Sequence, residues 1–159
     1  MEQSIPVVDL NRFVDGDADD QKAFVQKLGE SLVEFGFVAV ENHRVDQDAL
    51  RSTYAELKAL FDLPREAKLR YEQLESGRQR GYTAFGLEHA KYHDLPDLKE
   101  FWHIGPELGE THPLRQRIPK NLWPDEVPGF KAASLALYHS LFAAGSHLLR
   151  AIARFLGAE

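Results

Sequence analysis

The first candidates for chemistry in this sequence are its seven histidines and the acidic residues near them. A non-haem iron site needs two histidines and one carboxylate on one side of the metal, and its other positions stay open. A His-x-Asp or His-x-Glu pair would supply two of these ligands. No histidine is followed by an acid at that spacing; the seven are His43, His89, His93, His103, His112, His139 and His147. We therefore predict no metal ligands and no catalytic residues in this sequence.

A zinc site is the alternative metal centre. His89 and His93 are four residues apart, which places both on one face if the segment is helical, and Asp97 continues the spacing. Zinc hydrolases combine such a pair with a glutamate directly after the first histidine, and here that position is Ala90. A polar loop with two surface histidines is the simpler interpretation. A zinc site would predict stoichiometric metal in the purified protein.

Two arginines and a tyrosine form a candidate binding group. Arg78, Arg80 and Tyr82 alternate along one segment. Guanidinium groups are suited to bidentate carboxylate binding, and the phenol adds a hydroxyl. The group could contact an anionic substrate. The alternative is that the arginines are solvated or pair with nearby acids, namely Glu72, Glu75 or Glu88.

Trp102 and His103 are neighbours on a predicted strand, so their side chains point to opposite faces. The pattern leaves two interpretations open. Trp102 could lie in the core with His103 at the surface, or one of the two faces could border a binding cavity.

Composition excludes several classes of protein. The 159 residues suffice for one domain with a real core, and 43% of them are hydrophobic, which argues against disorder. The net charge of −6 argues against a nucleic-acid partner. There is no cysteine, no signal-like start and no apolar run long enough to span a membrane, so we expect a cytoplasmic protein with no membrane partner.

Short elements must position these residues in the first part of the chain. Residues 5–10 and 37–43 predict short strands, and residues 77–86 and 99–105 predict further extended segments. The acidic segment 15–20 predicts the start of a helix, and Gly36 predicts its end. Its apolar positions recur at helical spacing: Phe24, Val25, Leu28, Leu32 and Phe35. A second helix is predicted with one apolar face, made of Leu50, Tyr54, Leu57 and Phe61, and a shorter helix begins near Pro64.

The last segment, from residue 128 to about residue 156, gives the clearest helical pattern. One apolar stripe comprises Phe130, Ala133, Leu137, Leu141, Ala144, Leu148, Ala151 and Phe155. A second stripe comprises Leu135, Tyr138, Phe142, Leu149, Ile152 and Leu156. The two stripes lie side by side and cover about half of the circumference. This width predicts a helix that is buried against a large surface.

Several motifs in this order resemble one family, the isopenicillin N synthase-like Fe(II)/2-oxoglutarate-dependent dioxygenases. The similarity covers the N-terminal region of that family. It includes Phe35-Gly36-Phe37 leading to Asn42-His43, Leu63-Pro64-Arg65-Glu66-Ala67-Lys68, Gly81-Tyr82, Asp97-Leu98-Lys99-Glu100, Asn121-Leu122-Trp123-Pro124 and Pro128-Gly129-Phe130. One departure is Arg44, which stands where the family usually has glycine, so the turn after His43 could differ.

The resemblance implies an α+β fold. An N-terminal helical cap with a few short strands and a long backing helix would belong to a double-stranded β-helix, or jelly roll, whose C-terminal half is absent from this chain. Residues 1–127 would form the cap region, and residues 128–159 would form the amphipathic helix that backs the jelly-roll core.

The resemblance also implies a function. This chain would be the N-terminal part of a non-haem oxygenase that uses Fe(II) and 2-oxoglutarate and acts on a small-molecule substrate. The family's iron ligands and its Arg-x-Ser pair lie further downstream, so the chain alone is expected to bind no cofactor and to be inactive. The matching strands line the substrate pocket, which implies substrate contacts for Arg78, Arg80, Tyr82 and Trp102. The missing C-terminal half would be its main partner, and the arginines hint at an anionic substrate.

A binding module is the competing function. A natural protein of this length could use the apolar face of its last helix to hold a partner or to dimerise. That hypothesis predicts self-association or binding of a hydrophobic dye.

Overall fold

The computed structural model describes residues 4–89, 91–92 and 95–158. Five α-helices, four short strands and one 3-10 turn form its regular structure in these ranges. In chain order they are β1 (Val7–Asp9), α1 (Leu10–Val14), α2 (Ala18–Phe35), β2 (Ala39–Glu41), α3 (Gln47–Phe61), α4 (Arg65–Leu69), the turn Leu74–Ser76, β3 (Gly81–Thr83), β4 (Phe101–His103) and α5 (Phe130–Phe155). The mixture of helices with a few short strands agrees with the predicted α+β class.

The chain divides into two compact units. The terminal unit comprises residues 1–50 and 135–159, and the central unit comprises residues 51–134. The boundary proposed from the sequence at residues 127 and 128 remains a prediction for the native protein.

In the terminal unit, helix α2 begins and ends as predicted. Asp17 caps its first turn, because the carboxylate accepts hydrogen bonds from the backbone N–H groups of Asp19 and Asp20 at 3.0 and 2.9 Å. Gly36 ends it in a left-handed conformation with φ of 78°. The acidic segment is therefore a helix start, as the sequence indicated.

The core of the terminal unit forms around β1, which pairs in parallel with β2. Its buried members come from β1, α1, α2 and α5: Val8, Leu10, Phe13, Phe24, Leu28 and Ala151. The predicted strand over residues 5–10 is too long at its end. Asp9 accepts a hydrogen bond from the Asn11 N–H at 3.0 Å and caps helix α1, so the chain turns helical at Leu10.

The turn after Asn42-His43 keeps a left-handed backbone although it lacks the expected glycine. Arg44 has φ of 60°, a region that costs a side-chain-bearing residue roughly 1–2 kcal/mol. Its guanidinium donates from Nε and Nη2 to Oδ1 of Asn11 at 2.9 and 2.8 Å and forms an ion pair with Asp15. These contacts offset part of the backbone cost.

Two substitutions at Arg44 separate the free-energy cost of the left-handed backbone from the contribution of the side-chain contacts. Arg44→Gly and Arg44→Ala both remove the contacts to Asn11 and Asp15, but only glycine accepts the left-handed conformation freely. We expect Arg44→Gly to be more stable than Arg44→Ala by about 1 kcal/mol in urea unfolding. Equal stabilities would show that the turn is not left-handed in solution.

The long helix of the prediction is confirmed as α5, Phe130–Phe155. Some side chains from both of its apolar stripes stay uncovered within the terminal unit. Leu141, Phe142 and Leu149 are between 52% and 68% exposed, and Leu156, which follows the helix, is 69% exposed. No helix in the described part of the chain is long and apolar enough to cross a membrane.

In the central unit, a small core rich in aromatic side chains includes Leu57 from the face predicted for α3. Leu60, Val127 and Phe130 are buried there, and partly buried side chains pack against them, including those of Trp102 and Trp123.

The predicted apolar face of α3 is wrong at Tyr54, which is 68% exposed. The buried side chains of the helix are Ala49, Thr53 and Leu60, so the buried face lies about one position earlier. Thr53 can be buried because its hydroxyl donates to the Ala133 carbonyl at 2.9 Å.

Candidate functional site

The antiparallel strands β3 and β4 of the central unit bring the predicted site residues together. Tyr82 lies directly opposite Trp102, and Gly81 lies opposite His103. Side chains paired in this way are within contact distance. Arg78 and Arg80 precede β3 on the same segment. The structure therefore places all four candidate residues on or next to one strand pair.

Tyr82 is buried to 1% exposure, and its phenol is engaged inside the protein. The hydroxyl donates to Oε2 of Glu100 at 2.5 Å. Burial, together with the hydrogen bond to the Glu100 carboxylate, raises the pKa of Tyr82 well above its ordinary value. The phenol thus stays protonated and is already paired, so it has no free hydroxyl for a ligand.

Glu100 also binds a buried lysine that sequence analysis did not select. Lys68 Nζ lies 2.9 Å from Oε2 of Glu100 and donates to the carbonyl of Phe61 at 2.8 Å. The two charged side chains are only 8% and 16% exposed. Lys68 also lies over the Tyr82 ring, with Nζ 5.7 Å from its centroid. Lys68, Tyr82 and Glu100 form what we call the buried triad.

Lys68 and Glu100, two of the three residues of the buried triad, lie in motifs that the sequence analysis noted. Lys68 ends the Leu-Pro-x-Glu-x-Lys motif, and Glu100 ends the Asp-Leu-Lys-Glu motif. Each motif looked like a local landmark, because nothing in the sequence shows that Lys68 in α4 meets Glu100, which lies 32 positions later and directly precedes β4.

Arg78 pairs with a nearby acid, which was the alternative to a substrate contact. Its Nε donates to Oε1 of Glu72 at 3.0 Å. The backbone at Arg78 is left-handed, with φ of 60°, and its carbonyl lies 2.9 Å from Nδ1 of His103. The side chain therefore already has a carboxylate partner, and the backbone contact fixes the start of β3.

The Arg80 side chain bonds to a backbone carbonyl, whereas Arg78 bonds to a carboxylate. Its Nη1 donates to the carbonyl of Gln79 at 2.5 Å, while its Nε is buried and has no hydrogen-bond partner among the described residues. Its guanidinium packs against the backbone of Gly105. A buried unpaired donor on a cation is costly.

The Trp102 ring belongs to the core, whereas its N–H lacks a partner. The ring lies 5.5 Å from those of Tyr71 and Phe130, measured between centroids. Its Nε1 is buried and makes no hydrogen bond within the described part of the chain. His103, on the opposite face, is exposed. The structure thus agrees with the first interpretation for the ring and the histidine, and a binding cavity beside this strand stays a prediction.

Asn121, another residue that sequence analysis treated only as a landmark, fixes the backbone after β4. Its Oδ1 accepts from the Gly105 N–H, and its Nδ2 donates to the Gly105 carbonyl, both at 2.8 Å. Nδ2 also donates to Oε1 of Glu107 at 2.9 Å, which Trp123 Nε1 contacts at 3.1 Å. The Asn-x-Trp-Pro motif therefore holds the segment that follows β4.

The proposed zinc residues lie partly outside the described residues. His93 and Ala90 are not described. His89 forms an isolated bridge with Pro96, and the Asp97 carboxylate lies 3.2 Å from Lys99 Nζ. Among residues 4–89, 91–92 and 95–158, no group of three histidines or acids is arranged to hold a metal.

Comparison with known proteins assigns the family. Residues 5–126 match the family model described as the N-terminal region of the non-haem dioxygenase in morphine synthesis. A 2-oxoglutarate-Fe(II) type oxidoreductase from Aspergillus fumigatus is 31% identical over 147 residues, which cover 88% of this chain and 44% of that protein. Another, from Emericella nidulans, is 28% identical over 97% of this chain and 46% of its own length.

Solved structures agree in fold. A 2OG-Fe(II) oxygenase family protein from Caulobacter crescentus superimposes with a TM-score of 0.84 and 38% identity, over 98% of this chain and 50% of its own. A full-length Neurospora crassa protein crystallised with α-ketoglutarate and thymine has a TM-score of 0.78 and 26% identity, over 98% of this chain and 49% of its own. The second structure shows that this relative binds both small molecules.

The chain therefore belongs to the family of non-haem dioxygenase N-terminal regions, as its motifs predicted. It spans about half the length of the relatives that it matches.

Proposed function

We propose that the native protein containing this sequence is a non-haem oxygenase that uses Fe(II), O₂ and 2-oxoglutarate to oxidise a small molecule. The described chain would form the substrate-facing cap, and α5 would back a jelly-roll core. The observation that carries the proposal is the match over residues 5–126 together with relatives named for this chemistry.

The iron and the co-substrate would not be held by these 159 residues. The sequence has no His-x-Asp or His-x-Glu pair, and the described residues offer no group of three metal ligands. When bound elsewhere in the native protein, iron and 2-oxoglutarate would supply oxygen activation. The residues described here would bind and orient the substrate.

Arg80 and Trp102 support the proposed substrate contacts better than Arg78 and Tyr82. Arg80 and Trp102 each keep an unpaired donor, whereas Arg78 is paired with Glu72 and Tyr82 with Glu100. Protein encloses both donor atoms, so a substrate acceptor would reach them only after a local rearrangement of the side chains around them. Arg78 and Tyr82 would then act by holding β3 in place.

The test uses the polypeptide made from the native gene, whose intact mass is measured first. Fe(II) and 2-oxoglutarate added together without oxygen should produce a visible metal-to-ligand charge-transfer band, because the co-substrate chelates the metal. Mg²⁺ in place of Fe(II) is the control and should give no band. A native polypeptide that binds Fe(II) and 2-oxoglutarate without the band would contradict the proposal.

A binding module remains the second candidate function, because α5 exposes an apolar face. Leu141, Phe142, Leu149 and Leu156 are all at least half exposed in the terminal unit. Such a surface marks a contact with something else. Light scattering and dye binding of the native polypeptide distinguish the two functions, since an oxygenase whose core covers this face should bind no hydrophobic dye.

A further inference from the structure

The segment that follows β4 and the first turn of α5 enclose a cavity of about 300 Å³. All of its lining residues lie between positions 106 and 131, inside the central unit. None of the four candidate residues on or next to the strand pair is among them. A cavity of this volume accommodates a small organic molecule. It is therefore a candidate for a second site.

Apolar side chains form part of the cavity wall, and hydrogen bonds hold that wall in shape. Leu108, Ile118 and Trp123 contribute apolar surface. The indole Nε1 of Trp123 donates to Oε1 of Glu107 at 3.1 Å, and Asn121 Nδ2 donates to the same oxygen at 2.9 Å. The wall is therefore preorganised to contact the apolar part of a ligand.

Three cations line the same cavity, although the protein as a whole is acidic. They are Arg115, Lys120 and Lys131, whereas the formal net charge of the sequence is −6. Residues 112–124 contain no Asp or Glu. Within the described part of the chain, none of the three cations forms an ion pair with a carboxylate. Their charges are left to solvent or to a ligand.

The protein positions two of these cations. The Lys131 ammonium lies over the Trp123 ring, with Nζ 5.9 Å from the ring centroid. Arg115 is half-buried, and its Nη1 donates to the Ile118 carbonyl at 3.4 Å. One long hydrogen bond leaves most of the five guanidinium N–H donors free. Arginine binds phosphate through paired N–H groups and lysine binds it as a point charge, so this set of cations suits a phosphate.

Two carboxylates also line the cavity, and they make the choice of ligand testable. Glu107 is engaged by the N–H donors of Asn121 and Trp123. Glu110 is exposed and makes no ion pair with another described residue. The cations outnumber the carboxylates, so the local potential favours an anion. Glu110 would oppose an anion that binds beside it.

From this arrangement we infer that the cavity is a second ligand site of the native protein, for a small organic phosphate. The phosphate lies among Arg115, Lys120 and Lys131, and the organic part lies against Leu108 and Ile118. Such a site needs neither iron nor 2-oxoglutarate, and it goes beyond the proposed oxygenase reaction.

Equilibrium dialysis of the native polypeptide against phenyl phosphate tests this site. Saturating 2-oxoglutarate is present throughout, so that the co-substrate site does not take up the probe. We expect one phenyl phosphate per polypeptide and at least tenfold weaker binding of inorganic phosphate, because inorganic phosphate has no apolar part. Absence of phenyl phosphate binding, or binding that 2-oxoglutarate abolishes, would overturn the second site. Equal affinities for the two probes would indicate an adventitious ion only.

Two matched arginine variants locate the probe. Arg115→Gln should raise the dissociation constant of phenyl phosphate about tenfold, the effect of losing a charge-assisted hydrogen bond. Arg117→Gln removes the same charge two residues away, but Arg117 does not line the cavity, so this control should bind like the wild type. Lys131→Gln should weaken binding in the same direction as Arg115→Gln. Equal weakening in Arg115→Gln and Arg117→Gln would reveal general attraction to a basic segment and would overturn the site.

Glu110→Gln should have the opposite effect. Removal of this exposed carboxylate from the edge of the cavity should tighten phenyl phosphate binding about two- to fivefold. A loss of folding cannot produce tighter binding, so this variant tests the site even if another variant is unstable. Unchanged or weaker binding would overturn the position assigned to the phosphate. Circular dichroism establishes that each variant is folded.

Discussion

Gly29→Ala is expected to destabilise the terminal unit by about 1–3 kcal/mol, although alanine is the better helix former. Gly29 is buried in α2, and a Cβ atom there would lie 2.1 Å from Cδ2 of Phe155. Alanine gains about 1 kcal/mol over glycine in a helix interior. The overlap must exceed that gain, because three atoms of the ring lie within 2.3 Å of the new methyl group. Urea unfolding of the native polypeptide measures the change.

Gly145→Ala is the matched control. Gly145 lies in the interior of α5, and a Cβ atom there would meet nothing within 4 Å. This variant should therefore gain about 0.5–1 kcal/mol from helix propensity alone. Adding Phe155→Leu to Gly29→Ala should recover part of the loss. The close packing of α2 against Phe155 would be refuted if both alanine variants were stabilised equally.

The sequence predicted the helices well because their signals are local. The acidic segment predicted the start of α2 because an Asp at a helix N-cap bonds to N–H groups two or three residues ahead, as Asp17 does. The stripes of α5 recur over seven turns, so one irregular position does not change the pattern. The prediction that Tyr54 is buried was wrong, because an aromatic residue at helical spacing looks like part of an apolar face. Thr53 is buried instead, and the hydrogen bond that allows this is not visible in any local sequence pattern.

The site was predicted only as a group of residues on one strand pair, because the sequence does not show which of its side chains has a hydrogen-bond partner inside the protein. Arg78 and Arg80 are equivalent in sequence, and only the contact of Arg78 with Glu72 distinguishes them. Gly105 looked like the end of a strand, although the Arg80 guanidinium lies against it. The first contact joins residues six positions apart, and the second joins residues 25 positions apart.

Lys68→Met is expected to have the largest effect on stability, a loss of about 3–5 kcal/mol in the free energy of unfolding. Removing the ammonium leaves the Glu100 carboxylate, which is only 16% exposed, without its cationic partner. The Tyr82 hydroxyl still donates to Glu100, but a neutral donor does not balance a buried charge. Methionine keeps most of the volume of the lysine stem, so the change isolates the charge. Urea unfolding at neutral pH measures the loss.

Removing both charges should be far less harmful than removing one. In Lys68→Met combined with Glu100→Leu no buried charge remains, and replacement of a buried ion pair by apolar residues is often close to neutral. Tyr82 loses its acceptor in that variant, so Tyr82→Phe is added to remove the unsatisfied hydroxyl. The triple variant should recover most of the stability lost in Lys68→Met.

The exposed pair Lys58–Asp62 supplies the comparison for the buried triad. Its two atoms are 2.6 Å apart, closer than Lys68 and Glu100, but its side chains are 77% and 65% exposed. Water screens such a pair, so Lys58→Met should change stability by about 0.5 kcal/mol or less. The comparison separates burial from distance as the source of the effect. If Lys58→Met and Lys68→Met cost the same, the triad is solvated in solution, and β3 and β4 are held by their backbone pairing and the aromatic core instead.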